Sequence, residues 1–217
     1  MRGWLRTLRA WWVLLATGLL PLAWLVWRTA ADQLGANPAE ALIRATGDWT
    51  LRGLCITLAV TPLRQLLGWP ELVRFRRLLG LLTFGYACLH LMAYAWLDMG
   101  LVWDDIVRDI PKRPFVLVGT LAFVLLLCMA ATSWNGAIRR LGARRWQALH
   151  RSVYAVAGLT ILHFWWMRAG KNHFGEVWVY GLILAALLTW RIWRRAKRQP
   201  VQPTSCSRAN VSNADSR

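Results

Sequence analysis

Apolar residues in this chain come in runs of about twenty, separated by shorter stretches in which arginine concentrates. The runs cover roughly residues 10–27, 48–67, 78–97, 114–134, 146–167 and 174–190. Each approaches the ~20 residues that an α-helix needs to cross a bilayer. The pattern predicts an all-α membrane protein, a bundle of about six transmembrane helices. The first run exceeds the ~7 to 15 residues of a signal peptide's apolar core and reads as helix 1.

Composition agrees with a membrane solvent. Of 217 residues 57% are hydrophobic, and the mean hydropathy is +0.34. The net charge of +17 would suggest nucleic acid as the partner of a soluble protein. Here the basic residues sit between apolar runs and read as topology signals, so no nucleic-acid partner is expected and membrane lipid surrounds the chain. Sixteen tryptophans suit the interface, where the ring is buried and the N–H stays wet. Cys55, Cys88, Cys128 and Cys206 form no Cys-x-x-Cys, so neither a zinc site nor covalent haem attachment follows.

Lysine and arginine mark the cytoplasmic side of short loops. The N-terminus and the stretches 64–77, 139–145 and 191–198 carry sixteen of them, against eight on the other side. Both termini are therefore expected in the cytoplasm. The segment 98–113, with Asp98, Asp104, Asp105 and Asp109, is expected to be the longest outer loop and a docking surface. Residues 1–198 form one helical domain on this reading. The polar tail 199–217 cannot bury enough apolar surface to offset its ordering entropy and is expected to be disordered. No Gly-x-Gly-x-x-Gly motif or soluble nucleotide-binding domain accompanies the bundle, so electrons would have to come from another molecule.

Three of the four histidines, His90, His150 and His163, fall inside the apolar runs. Ionisable groups are costly there and normally face the bundle interior, where they serve a cofactor, a proton path or an ion. Two imidazoles from facing helices can hold a haem iron. His90 lies ~12 Å and His163 ~8 Å from the outer ends of parallel helices, at 1.5 Å per residue. His150 lies ~27 Å deep on the same scale. His90 and His163 are thus the expected axial pair. His150 and His163 stand ~20 Å apart and point ~140° away from each other, so they do not share a haem. A helix 3 partner for His150 would lie about 13 residues before His90, and that residue is Arg77. The bland reading is that such histidines hydrogen-bond a neighbouring helix and bind nothing. His173 reads as a solvated loop residue.

Arg151 follows His150 and has two readings, a snorkelling side chain or a guanidinium fork for a haem propionate, a flavin phosphate or a quinone oxygen. Arg74, Arg76, Arg77, Arg139, Arg140, Arg144 and Arg145 invite the same choice between topology and an anionic cofactor. Tyr94, Trp165 and Trp166 read as interfacial belt residues.

Several stretches together carry a resemblance. They are Gly47-Asp48-Trp49-Thr50-Leu51, Thr61-Pro62-Leu63-Arg64, Arg76-Arg77-Leu78-Leu79-Gly80, His90-Leu91-Met92-Ala93-Tyr94, Lys112-Arg113-Pro114, Thr132-Ser133, and 146–154 (Trp146 to Tyr154) followed by His163. In order and spacing they resemble the MsrQ family, haem-binding membrane subunits of protein-methionine-sulfoxide reductase systems within the ferric-reductase-like transmembrane superfamily. The resemblance spans about residues 10–195. It implies b-type haem, FMN, a bacterial inner-membrane location, and electrons from the quinone pool or a cytoplasmic flavin reductase. It further implies a periplasmic molybdopterin-dependent methionine-sulfoxide reductase as acceptor, a separate catalytic chain that repairs oxidised periplasmic proteins. The family's membrane histidines match His90, His150 and His163. Two rival readings are a stand-alone ferric- or quinone-reducing b-type cytochrome and a transport bundle without cofactor.

Overall fold

The computed structural model describes residues 2–169 and 174–197, and among these there is no strand. His173 and the tail 199–217 lie outside the described residues. The helices are α1 (Arg2–Ala30), α2 (Pro38–Leu67), α3 (Leu72–Ala93), α4 (Trp103–Lys112), α5 (Pro114–Ala131), α6 (Asn135–His150), α7 (Val153–Ala169) and α8 (Gly175–Ala196). A π-helical turn, Tyr94–Asp98, extends α3.

α2 starts ten residues before its apolar run. Asn37 caps it by accepting the Glu40 N–H at 3.1 Å, and Pro38 at the first turn has no N–H that needs a partner. Gly68, at φ 67°, ends it in the left-handed conformation that glycine adopts without strain. The segment 98–113, expected as an outer loop, is not a plain loop. Residues 103–112 form α4, whose side chains divide into an acidic face and an apolar one with Trp103 and Val107 exposed. The expected 139–145 loop is also helical and lies inside α6, kinked where Gly142 takes φ 75°. α7 begins only at Val153, so residues 146–150 leave the fifth apolar run and join α6.

Six long helices, α1, α2, α3, α5, α7 and α8, make the bundle. α2 lies chiefly along α3 and α7 chiefly along α5, with α8 closing on α2 and α7. Among the described residues, four segments are long and apolar enough to cross a membrane by themselves: 8–30, 72–98, 114–131 and 175–194. α2 carries Glu40, Arg44, Asp48, Arg52 and Arg64, and α7 has only 17 residues. These two contribute much of the buried core, including Leu51, Leu54, Leu58, Val153, Val156 and Phe164. Large side chains such as Trp12, Leu182 and Ile192 face outward, as they do when the solvent is lipid.

Proline creates one local problem inside α2. Pro62 has no N–H, so the carbonyl of Leu58, four residues earlier, loses its helical partner. Leu58 is fully buried, where an unpaired carbonyl is expensive. Arg191 of α8 supplies the donor, with Nη2 at 2.7 Å from that oxygen and 3.2 Å from Thr61 Oγ1.

Candidate functional site

His90 on α3 and His163 on α7 face each other at one depth in the bundle. Their ring centroids are 6.1 Å apart and the planes are nearly perpendicular, at 82°. Each host helix finds its main packing on another neighbour, so the two rings meet across the space between α3 and α7.

Both rings are held in the same manner. His90 Nδ1 donates to the Ile43 carbonyl of α2 at 2.9 Å, and His163 Nδ1 donates to the Phe115 carbonyl of α5 at 2.7 Å. A carbonyl can only accept, so each Nδ1 carries the proton and each Nε2 presents its lone pair. In both cases the residue four positions after the carbonyl is glycine. A Cβ on Gly47 would sit 3.1 Å from His90 Cε1, and one on Gly119 would sit 2.8 Å from His163 Nδ1. The imidazoles therefore lie directly on helix backbone, a fit that any larger residue would spoil.

This arrangement suits two imidazoles on one metal ion. With each Nδ1 given to a backbone carbonyl, the two Nε2 atoms are the groups that would hold a metal ion. Haem iron with two axial histidines is one such centre. Gly47 opens one of the stretches that carry the resemblance, but neither its contact with His90 nor Gly119 or the two carbonyls could be read from the sequence.

The other candidates gather at the opposite end. A cavity of about 710 Å³ has His150, Arg151 and Arg77 in its wall, along with Arg64, Arg76, Arg191 and Arg194. His150 is the last residue of α6 and not part of a membrane-crossing helix, contrary to the placement expected from its apolar run. Its ring stacks on Trp146 at 3.9 Å and its Nδ1 lies 3.1 Å from the Trp146 carbonyl. Arg77 donates to Asn135 at 3.4 Å. Thirteen residues separate Arg77 from His90, about 20 Å along α3, so the two groups form separate sites.

Beyond the histidine pair, Arg113 ties the end of the π-helical turn to the end of α4. It donates to Asp109 at 2.7 Å and to Asp98 at 3.0 Å, and the Tyr94 hydroxyl donates to Asp109 at 2.6 Å. Burial acts to raise the Asp109 pKa, but the hydrogen bonds from Arg113 and Tyr94 outweigh it and hold the carboxyl below its usual value. The same bond pushes the Arg113 guanidinium up. Tyr94 thus has a partner within the fold, and Trp165 packs against Phe174 and Trp178.

A helical bundle with arginine at one end and two opposed, backbone-anchored imidazoles near the other defines a class: a multi-pass integral membrane protein built around a paired-histidine site. Residues 46–161 match the family model described as ferric reductase like transmembrane component. The chain is 63% identical over 175 residues to the protein-methionine-sulfoxide reductase heme-binding subunit MsrQ of Polaromonas naphthalenivorans, covering 81% of this chain and 80% of that one. It is 49% identical to the MsrQ of Herminiimonas arsenicoxydans, over 89% of this chain and 90% of the relative. The Bordetella pertussis MsrQ is 52% identical, over 84% and 90%. No solved structure matches the chain significantly. The chain belongs to the MsrQ family within the ferric-reductase-like transmembrane proteins.

Proposed function

We propose that this chain is a haem b electron-transfer subunit of the bacterial inner membrane, with His90 and His163 as the axial ligands of the haem iron. The observation that carries the reading is the imidazole pair at 6.1 Å, each ring with Nδ1 committed to a backbone carbonyl. The names of the relatives, heme-binding subunits, point to the same group. Haem supplies one-electron chemistry when bound. The chain's own part is to fix two neutral imidazoles at one depth, to set their tautomer, and to keep water away with Phe164, Phe115 and the flanking helices.

The arginine distribution supports an outward direction of electron flow: arginine-rich ends favour the cytoplasm, and on that reading both termini lie there and the histidine pair lies in the outer half. Electrons would then leave toward a periplasmic methionine-sulfoxide reductase subunit, after arriving from the quinone pool or a cytoplasmic flavin reductase. FMN belongs to this reading through the family resemblance, without a residue assigned to it. The outer elements 98–113 are the docking surface on this reading.

The test is the absorption spectrum of purified protein, oxidised and dithionite-reduced, with a pyridine haemochrome count. One low-spin b-type haem per chain is expected, absent in His90→Ala and in His163→Ala and retained in His150→Ala. Full haem in both of the first two variants would overturn the assignment.

A further inference from the structure

The network around Arg113 has a part that the haem reading does not use. Asp109, near the end of α4, accepts from the Tyr94 hydroxyl at 2.6 Å and from Arg113 Nε at 2.7 Å. Its side chain is only 15% exposed, although α4 is an amphipathic surface helix. Arg113 also reaches Asp98 at 3.0 Å. Its guanidinium lies 5.7 Å from the centre of the Tyr94 ring and 5.6 Å from that of Phe115, both within the range of cation–π attraction.

Each end of this network leads to one of the two histidines. Tyr94 stands four residues after His90, and its own N–H closes the last turn of α3 on the His90 carbonyl. Arg113 stands two residues before Phe115, whose carbonyl accepts from His163 Nδ1 at 2.7 Å and whose ring centre lies 6.2 Å from that of the imidazole. Pro114 is the residue between them. Its ring locks its own φ and restricts Arg113 to an extended backbone, observed at φ −104° and ψ 104°. Little slack therefore separates the guanidinium from the carbonyl that orients His163. The path runs from His90 through Tyr94, Asp109, Arg113 and Phe115 to His163, and the two imidazoles close it at 6.1 Å. A clamp that merely pinned α4 could end anywhere on the bundle, whereas this one ends beside both imidazoles.

We propose that Tyr94, Asp109 and Arg113 are positioning residues for the histidine pair, setting the plane of His163 through the Phe115 carbonyl and the outer end of α3 through Tyr94. The inference deepens the haem reading and rests on it. Its signature is the angle between the two imidazole planes, 82° in this structure. Ligand orientation is one of the levers by which a protein tunes a bound metal, and the supports behind the ligands set it.

The test uses the full chain purified in detergent with its haem. Electron paramagnetic resonance of the oxidised protein reads the ligand planes, because the anisotropy of a bis-histidine low-spin signal depends on the angle between them. In Asp109→Asn and Arg113→Gln, haem content and helical circular dichroism should stay near those of the parent chain, while the parent signal gives way to a shifted and broadened one. Tyr94→Phe removes a single oxygen, so it should fold even where a larger change does not, and it should shift the signal in the same sense by less. Arg113→Lys keeps the charge without the guanidinium fork and should restore the signal in part. Asp104→Asn removes an equal charge from the exposed side of α4, outside the network, and should leave the signal unchanged. Nitrogen NMR of the haem-free chain gives a second readout: His163 should carry its proton on Nδ1, and should populate both tautomers in Arg113→Gln. A parent-like signal in both Asp109→Asn and Arg113→Gln, or an equal change in Asp104→Asn, would overturn the proposal. A parent chain that takes up no haem refutes the haem reading instead, and the tautomer measurement then still decides whether Arg113 orients His163.

Discussion

Replacing Gly119 by alanine tests the histidine site at its tightest contact. In a helix interior the change from glycine normally stabilises by about 1 kcal/mol. Here the new Cβ would stand 2.8 Å from His163 Nδ1 and 3.0 Å from Cε1, where ordinary contacts begin near 3.4 Å. The ring must retreat by about 0.6 Å, and it cannot do so freely, because its Nδ1 is bonded at 2.7 Å to the Phe115 carbonyl one turn earlier on the same helix. Losing that bond costs about 0.5–1.5 kcal/mol, and the imidazole loses its fixed orientation. Two effects of opposite sign thus compete, and the steric one should win. Gly119→Ala is expected to bind haem at least several-fold more weakly, with a broadened reduced spectrum and no gain in melting temperature. Gly47→Ala should show a milder form, since its Cβ would meet His90 at 3.1 Å. Gly158→Ala on α7 is the control, because a Cβ there meets nothing within 4 Å. The assay is haem per chain and thermal unfolding for the three variants side by side. Normal haem content with a raised melting temperature in Gly119→Ala would refute the view that backbone contact positions the ring.

Three further outcomes are expected. The Arg113 clamp should loosen in acid: Asp109 has a depressed pKa, so its contribution is complete above the unfolded value of about 3.9 and is lost as pH falls through the folded value. Amide exchange across 99–112 should accelerate in that window, and Tyr94→Phe should move the onset to higher pH. Arg191→Met should destabilise by about 1–3 kcal/mol in a Pro62-containing chain, yet by clearly less in Pro62→Ala, where residue 62 again offers its N–H to Leu58; denaturant titration in detergent gives the coupling energy. Haem removal should lower the melting temperature, and re-addition at about 100 times the dissociation constant should restore about 2.7 kcal/mol, whereas His163→Ala should show no such rescue.

The bundle and the histidine pair were legible in the sequence for a simple reason. Crossing a bilayer demands about twenty apolar residues, and an imidazole in such a run is rare enough to notice. Depth arithmetic then selected His90 and His163, and the structure brings those two rings together. Helix boundaries were less legible because caps decide them. Asn37 and Pro38 start α2 well outside its apolar run, and the break at Arg151 and Ser152 transfers His150 from the fifth crossing to α6. α4 escaped because its apolar face is short and mixed with aspartates, which reads as loop when the helical period is not traced. Arg191 looked like one more topology signal, and its burial and its bond to Leu58 are what set it apart.

The two histidines share a device that explains why they sit where they do. On α2 and on α5 alike, a carbonyl accepts from an imidazole, and the residue one turn later is a glycine that leaves room for the ring to reach it. A helix carbonyl already accepts one bond from the residue four positions on and keeps a second lone pair for another donor. Glycine at that position leaves room for the imidazole ring beside the oxygen. An imidazole bonded there has a settled tautomer and a fixed plane before any metal arrives, so binding need not supply the ordering. The same logic accounts for Arg191, where proline rather than glycine frees the oxygen. In a membrane interior without water to satisfy backbone groups, each such carbonyl is a directed contact point, and this chain places an imidazole or a guanidinium on these three.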